Sequence, residues 1–413
     1  MTVRLDVYHA AIAAQEGRQN GVTRSLVYLS WVTPPRGAEP NIQEERVMKI
    51  IHWIGIDDHA DKWTIAQFQG EDEKPAKEFE LVPDDTGYRK LIKFLKELEG
   101  EVRVVYEAGP CGYELYRRLT KAKLQCEVAA PSLTPRKPGE RVKTNRRDAS
   151  KLARYLRSGM LTVISVPDEG RESLRDLVRA RHAVQKDVVS IRNQIVKFLL
   201  RYGYRYREGK TAWTERFWAW VGQIKLEGEY GQFVLDEMIR THRQRLEQRA
   251  RYDEAIEAAA SKPEYAPSVA AYSVLRGIDR LSAMTVLSEL GDLRRFPTAP
   301  QLMGAIGLVP SESSTGDTTS RFSITKTGNA HVRHIAVEAA WQYQRRTTNG
   351  PTIKKRRKDQ PQALVDIAER CDLRLNRKFH RMTSRGKRST VAAVAVAREL
   401  MGFIWAIGQI VHP

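Results

Sequence analysis

Leu177, Val184, Ile191 and Phe198 recur every seven residues, and Leu174, Val188 and Ile195 fall between them in the same register, with Arg181 filling one turn. Only a long α-helix presents such a seam, here about three and a half heptads, on one side, and that side must be laid against another helix. A weaker stripe of Leu235, Ile239, Leu246, Ala250, Ile256 and Ala260 offers the partner. Residues 166–265 are therefore expected to form a coiled-coil arm or helical hairpin, and its seam favours a dimer or tetramer over a monomer.

N-terminal to the seam the periodicity changes. Ile50 to Asp57 is an apolar strand-like run, and Lys62 to Gln69 follows with Trp63 and Ile65 at strand spacing and Phe68 out of phase. Lys77 to Leu81 reads as a third strand, and Leu91, Phe94, Leu95 and Leu98 as a helix stopping at Gly100. Val102 to Glu107, Tyr113 to Lys121 and Leu124 to Ala130 read as strand, helix and strand, with a further helix from about Arg147. The order βββαβαβ suits a ribonuclease-H-like fold, a mixed sheet flanked by helices. Residues 1–47, with Pro34, Pro35, Gly37 and Pro40, read as a poorly ordered extension ahead of a start at Met48. Beyond the arm, residues 266–413 read as mainly helical. Val274 to Asp279 followed by Ala283 to Gly291 resembles a helix-hairpin-helix element, and Val391 to Val411 closes the chain as an apolar helix packed on this domain. The fold class expected is α/β plus α.

Charge is distributed as unevenly as pattern. The formal net charge of the 413 residues is +19, yet residues 48–130 carry 13 Lys/Arg against 16 Asp/Glu. Residues 131–210 carry 20 against 8, and residues 351–390 carry 13 against 4. A near-neutral module joined to strongly basic regions fits a chain that holds a polyanion, nucleic acid first. A membrane surface is disfavoured, because no basic amphipathic stretch adjoins an apolar insertion face. The longest apolar run is interrupted by Arg398 and Glu399, and no signal-peptide order begins the chain, so no membrane passage is expected. Three scattered cysteines argue against disulfides or a zinc cluster and for a reducing, cytoplasmic setting.

Asp57 and Glu107 close two strands that can lie side by side, and Asp148 opens the helix after a basic loop. Clustered carboxylates repel unless a cation joins them, and hard oxygen donors select Mg²⁺ for phosphoryl transfer. Asp58 and His59 follow Asp57 as further contacts or as structural residues. In the last domain, Pro310 to Gly316 reads as a hydroxyl-rich turn leading to Ile324 to Asn329, which offers Lys326 and Asn329 ahead of His331, Arg333 and His334. A serine attacking phosphorus needs such cations around the phosphoryl oxygens.

Together, GIDDHA with Asp57, YEAGPCGY with Glu107, KTNRRDA with Asp148, LRGID, GLVPSESSTG and ITKTGN resemble the bacterial insertion-sequence transposases of the IS110 family, especially its IS1111 branch, from about Met48 to the C-terminus. The resemblance implies a RuvC-like DEDD metal domain over 48–165, a coiled-coil connector over 166–265 and a transposase domain with a nucleophilic serine over 266–413. It also implies an RNA-guided recombinase in which a noncoding RNA pairs with double-stranded donor and target DNA while a homo-oligomer exchanges strands. Asp57, Glu107 and Asp148 match the family's acids, and Asn145 stands where the third should be, contributing an amide oxygen without charge. Ser314 matches the serine, with Ser313 beside it. Lys143, Arg146 and Arg147, with Lys137 and Arg141, are placed to guide the scissile backbone. Arg205, Lys210 and Trp213, within an aromatic and basic stretch from Tyr202 to Lys225, read either as an RNA-contacting surface or as packing of the hairpin; Lys326, Asn329 and Arg333 complete the nucleic-acid set. The competing readings are a structure-specific DNA nuclease that needs no serine and a non-catalytic nucleic-acid-binding protein.

Overall fold

The computed structural model describes residues 50–135, 144–209, 212–315, 318–345 and 348–411. The expectations placed on 1–47, Lys137, Arg141, Lys143, Lys210 and Gly316 lie outside these residues. The chain divides into two compact units, one ending at Val166 and the other beginning at Pro167.

The first unit is built on a five-stranded mixed sheet. β1 (Ile51–Asp58), β2 (Trp63–Gln69) and β3 (Lys77–Leu81) pair antiparallel, whereas β4 (Glu101–Glu107) and β5 (Gln125–Ala129) continue from β1 in parallel, giving the order β3-β2-β1-β4-β5. Helices cover both faces. Ile54, Ile56, Trp63 and Ile65 form one core with Tyr88, Leu91 and Leu95 of α1 (Asp85–Glu97) and Leu115 and Leu119 of α2 (Glu114–Lys121). On the other face Ala66 and Phe68 meet Ala149 and Ala153 of α3 (Asn145–Arg157), while Val105 and Ala129 meet its Leu152 and Leu156. Phe68 is out of phase with Trp63 because it serves that second core; a strand buried on both faces need not alternate. Gly100 does not cap α1, which ends at Glu97; its φ is 119°, and an added Cβ would lie 2.2 Å from the Ile50 carbonyl oxygen, so close approach is what requires glycine there.

α3 lies directly on β1. A Cβ added to Gly55 would stand 2.0 Å from the Ala149 oxygen and 2.7 Å from the Ala153 nitrogen. At its far end Arg157 donates to the carbonyls of Gly70 (3.3 Å) and Asp72 (2.8 Å), beside the start of β1, where Gly70 N donates to Ile51 O. The helix thus runs against β1, with its first turn at the end that carries Asp57. Gly55→Ala is expected to lower stability by about 3 kcal/mol, the upper part of the overpacking range, because backbone rather than a flexible side chain must yield. Urea unfolding checks this, and an unchanged midpoint would mean that α3 is not seated there.

Among the described residues, the second unit is helical apart from one hairpin. α4 (Glu169–Arg201) and α6 (Glu229–Ala260) pair along their length, with α5 (Glu215–Gln223) between them in sequence. On α4 the buried residues are Leu174, Val178, Val184, Val188, Ile191, Ile195, Phe198 and Leu199, which is the expected seam with Val178 deeper than Leu177 and Leu199 added at its end. α6 departs from its expected stripe: Leu235, Ile256 and Ala260 are buried, but Ala250 is exposed. The middle of the pair is polar instead. Arg181 Nε meets Asp253 Oδ1 at 2.7 Å, Arg249 donates to Gln185 at 3.1 Å and Arg192 Nε donates to His242 Nε2 at 3.1 Å. Burial, together with the Arg192 and Arg249 charges, pushes the His242 imidazole down to about 4, so it accepts as a neutral ring.

α7 (Ala266–Tyr272) and α8 (Arg280–Leu290) flank the Gly277 turn, α9 (Ala299–Ala305) precedes a hairpin of β6 (Pro310–Thr315) and β7 (Thr318–Ile324), and α10 (Ala330–Ala340), α11 (Pro351–Arg357), α12 (Gln362–Ser384) and α13 (Ser389–Gly408) complete the unit. α13 is long and apolar enough to span a bilayer, but most of it is buried in this unit, where Trp405 donates to the Phe296 carbonyl at 2.9 Å. It is a core helix.

Candidate functional site

The parallel register of β1 and β4 pairs Ile56 with Tyr106, so Asp57 and Glu107 are the next two residues at adjacent strand ends. Asp57 shares the face of Gly55, the face that α3 covers. On α3, Asn145, Asp148 and Leu152 follow at helical spacing, and Leu152 packs with Val105 and Ala129, so this side of the helix is turned toward β4 and β5. Asp148 and Asn145 therefore stand in the first turn of α3, above the strand ends that carry Asp57 and Glu107; both are half-buried, and Thr144 caps that turn by accepting from Arg147 N at 3.4 Å. Arg146 and Arg147 project from the same turn into solvent.

Asp58 belongs to the opposite face. Its Oδ1 accepts from the Trp63 indole at 2.8 Å, and burial raises its pKa against the opposing effect of that bond. It is structural. His59 Nε2 lies 3.2 Å from Asp57 Oδ2, so the imidazole holds the carboxylate that the strand end presents. Among the described residues, no three His, Cys, Asp or Glu side chains stand at ligating distance of a common metal ion. The donor set nevertheless fits a hard cation: two carboxylates on neighbouring strand ends, and a third carboxylate and an amide oxygen on the helix turn above them.

The expected hydroxyl-rich turn is a strand. Ser311, Ser313 and Ser314 lie on β6, with Ser313 opposite Ser320 and Ser314 opposite Thr319. Exposed β-strands and turns draw on the same Ser/Thr-rich composition, which is why the sequence pattern did not separate them. Ser314 is exposed and its hydroxyl donates to Glu312 Oε1 at 3.3 Å; Ser313 faces the other way. Lys326 follows the base of the hairpin, and Ser314 stands four residues up β6 from Pro310, about 13 Å along the strand.

Lys326 is exposed, in a left-handed conformation with φ 57°, on a loop held tightly by Gly328, whose added Cβ would lie 1.9 Å from the Ala305 oxygen. Asn329 and Arg333 are committed inward. Asn329 caps α10 by accepting from Val332 N at 3.0 Å and donates to Glu289 Oε2 at 2.7 Å; Arg333 donates to the carbonyls of Ile306 (2.8 Å) and Thr327 (3.0 Å). Glu289 is what sequence reasoning missed. Its fully buried carboxylate takes a two-pronged contact from Arg179, at 2.7 and 2.9 Å, besides Asn329, so one side chain ties α4, α8 and α10 together. The signal was present as a lone acid within an apolar helix facing Arg175 and Arg179 one turn apart. Asp279 likewise caps α8 by accepting from Ser282 N at 2.8 Å, so that helix start is already filled by a carboxylate.

Trp213 and its neighbours form a core at the hairpin tip. Trp213 packs against Phe217 and Trp218, with ring centroids 4.7 and 5.7 Å away, and Arg192 lies over it at 5.1 Å. Of that stretch Arg205 is exposed. His331 and His334 face His182 across an open groove of about 840 Å³ that is also lined by Lys186, Gln185 and Asn193.

Two family models match the chain. Residues 54–204 match the DEDD transposase domain of IS110 elements, and residues 273–357 match the family described as "Transposase IS116/IS110/IS902 family". The chain is 42% identical over 330 residues to a putative transposase, y4qE, of Sinorhizobium fredii, covering 80% of this chain and 81% of that protein. It is 31% identical over 349 residues to the transposase for insertion sequence element IS1533 of Leptospira borgpetersenii, covering 83% and 99%. The transposase for IS1111A of Coxiella burnetii is 25% identical over 203 residues, 48% of this chain and 54% of that protein.

Proposed function

Since the chain belongs to the IS116/IS110/IS902 family of transposases, we propose that it cuts and rejoins the DNA strands of an insertion sequence through a phosphoserine formed on Ser314, with Mg²⁺ held by Asp57, Glu107, Asn145 and Asp148 and a noncoding RNA as guide. The observation that carries this reading is the adjacency of Asp57 and Glu107 on parallel strand ends beneath the first turn of α3. The order and mixed direction of the sheet support its ribonuclease-H-like, RuvC-type assignment. When bound, the metal supplies Lewis-acid stabilisation of charge on the phosphoryl oxygens.

The chain's own residues divide the remaining work. Ser314 Oγ forms a bond to phosphorus as the P–O3′ bond breaks; Glu312, the acceptor of its hydroxyl, takes the proton and returns it to the departing 3′ oxygen, which leaves as a hydroxyl. Attack on the phosphoserine by another 3′-hydroxyl restores both the phosphodiester and the serine, so no bond energy is lost. Arg146 and Arg147 lead the backbone toward the acids, and Lys326 balances phosphate charge near the hairpin base. As the family resemblance implies, the acids of one protomer serve the serine of another.

Ser314→Ala is expected to abolish denaturation-resistant protein–DNA adducts on labelled element-end duplexes while leaving DNA binding intact. Adducts at wild-type yield would move the nucleophile elsewhere. Cleavage by the wild-type protein with no adduct at all would favour the serine-independent nuclease.

A further inference from the structure

From Leu373 to Arg398 the chain carries eight Lys/Arg and no Asp or Glu. Arg398, on α13, is half-buried, and the structure splits the other seven into two groups. Arg374 and Lys378 close on Glu399 of α13, Arg374 at 2.8 Å. A second group is unpaired: Arg377, Arg381 and Arg385, with Lys387 and Arg388 in the turn to α13, are exposed and form no ion pair among the described residues. Arg377, Arg381 and Arg385 recur every four residues, so they stand on one side over about 12 Å.

Several arginines elsewhere in this unit are neutralised, whereas others, such as Arg205, Arg243 and Arg251, are exposed singly rather than in a row. Arg276 and Arg357 meet Asp372, Arg175 and Arg179 meet Glu289, and Arg181 and Arg249 meet Asp253. Five unpaired cations at one end of a helix pair repel one another, and a linear polyanion relieves that repulsion. The exposed large apolar side chains along this stretch are Leu373 and Val391, neither of them aromatic. A single-stranded partner would want a platform of several rings for successive bases to stack on, whereas this stretch exposes one, His380; a row of cations suits the phosphates of a duplex.

We propose that this row on α12 and the turn after it grips the phosphate backbone of a DNA duplex without reading its sequence. The proposal rests on the DNA-processing reading above, but its test reads binding alone, so a loss of strand exchange leaves it standing and a failure here leaves the catalytic reading untouched. The full-length protein is titrated against an arbitrary-sequence DNA duplex by fluorescence anisotropy over a range of salt. The triple variant Arg377→Gln/Arg381→Gln/Arg385→Gln is expected to flatten the slope of log K against log salt by about 2.7, three phosphate contacts at about 0.9 each, and the corresponding triple Arg→Lys variant to restore it. An unchanged slope in a folded Gln variant overturns the proposal, as does a Lys variant no better than the Gln variant. So does a loss confined to a duplex RNA probe, which would assign the row to RNA.

Discussion

Asp57→Asn is expected to slow cleavage of an element-end duplex about a thousandfold, with the fold retained. The substitution keeps the shape of the side chain and one acceptor oxygen but removes the charge that, on the proposed reading, makes the strand end attractive to a cation. Several kcal/mol of transition-state stabilisation are attributed to such an ion, and each 1.36 kcal/mol is about a tenfold change in rate. Asn145→Asp supplies the opposite arm of the comparison. Asn145 sits one turn ahead of Asp148 on the same side of α3 and contributes no charge, so a fourth carboxylate there is expected to lower the Mg²⁺ concentration that gives half-maximal cleavage several-fold. Single-turnover time courses across a Mg²⁺ series measure both. An Asp57→Asn protein within tenfold of wild type removes that residue from the chemistry, and an Asn145→Asp protein with unaltered Mg²⁺ dependence removes Asn145 from the donor set.

The second large effect is on stability. Glu289→Ala is expected to cost about 3 kcal/mol, because it leaves the Arg179 fork, the nearby Arg175 and the Asn329 amide facing a void. The lower end of the range for a broken buried pair applies, since Arg179 is 44% exposed and water can reach it. Burial pushes the Glu289 carboxyl up, but Arg179 and Asn329 more than reverse this, leaving it below the usual glutamate range. With the folded value depressed, this contribution is fully present above the ordinary value of 4.5 and is lost only as the pH falls through the lower folded value. Urea unfolding at neutral pH should show the whole deficit, and unfolding in acid should show wild type and variant converging. A variant of wild-type stability at neutral pH would mean that the tie carries no net energy.

What the sequence disclosed and what it withheld follow from the range of the interactions. The strands of the first unit were legible because each is a short apolar run bounded by charge or glycine, and the α4 seam because a heptad repeat is a local pattern. The partner stripe on α6 was misread at Ala250 because its contacts in the middle are ion pairs and hydrogen bonds, which leave no apolar period. Pro310 to Gly316 reads as a turn in sequence although it carries β6, because hydroxyl residues favour either state when one side faces solvent. Asp57 and Glu107 could be anticipated as neighbours from strand order. The inward commitment of Asn329 and Arg333 could not, because Glu289 lies 40 residues away from Asn329 in the chain. The aromatics around Trp213 fit two readings in sequence because an aromatic and basic run suits packing and base stacking alike; their rings meet one another at the hairpin tip, where Trp213, Trp218 and Trp220 stay partly exposed.

The polar rungs between α4 and α6 also set a measure. Sliding one helix past the other by a heptad would keep much of the apolar seam in contact but would part Arg181 from Asp253 and Arg192 from His242, so only one alignment satisfies both. With 32 residues in α6 at about 1.5 Å each, the arm is a rod of nearly 50 Å whose length is pinned along its shaft. It behaves as a ruler: whatever its far end grasps is held at a constant span from the domain at its base.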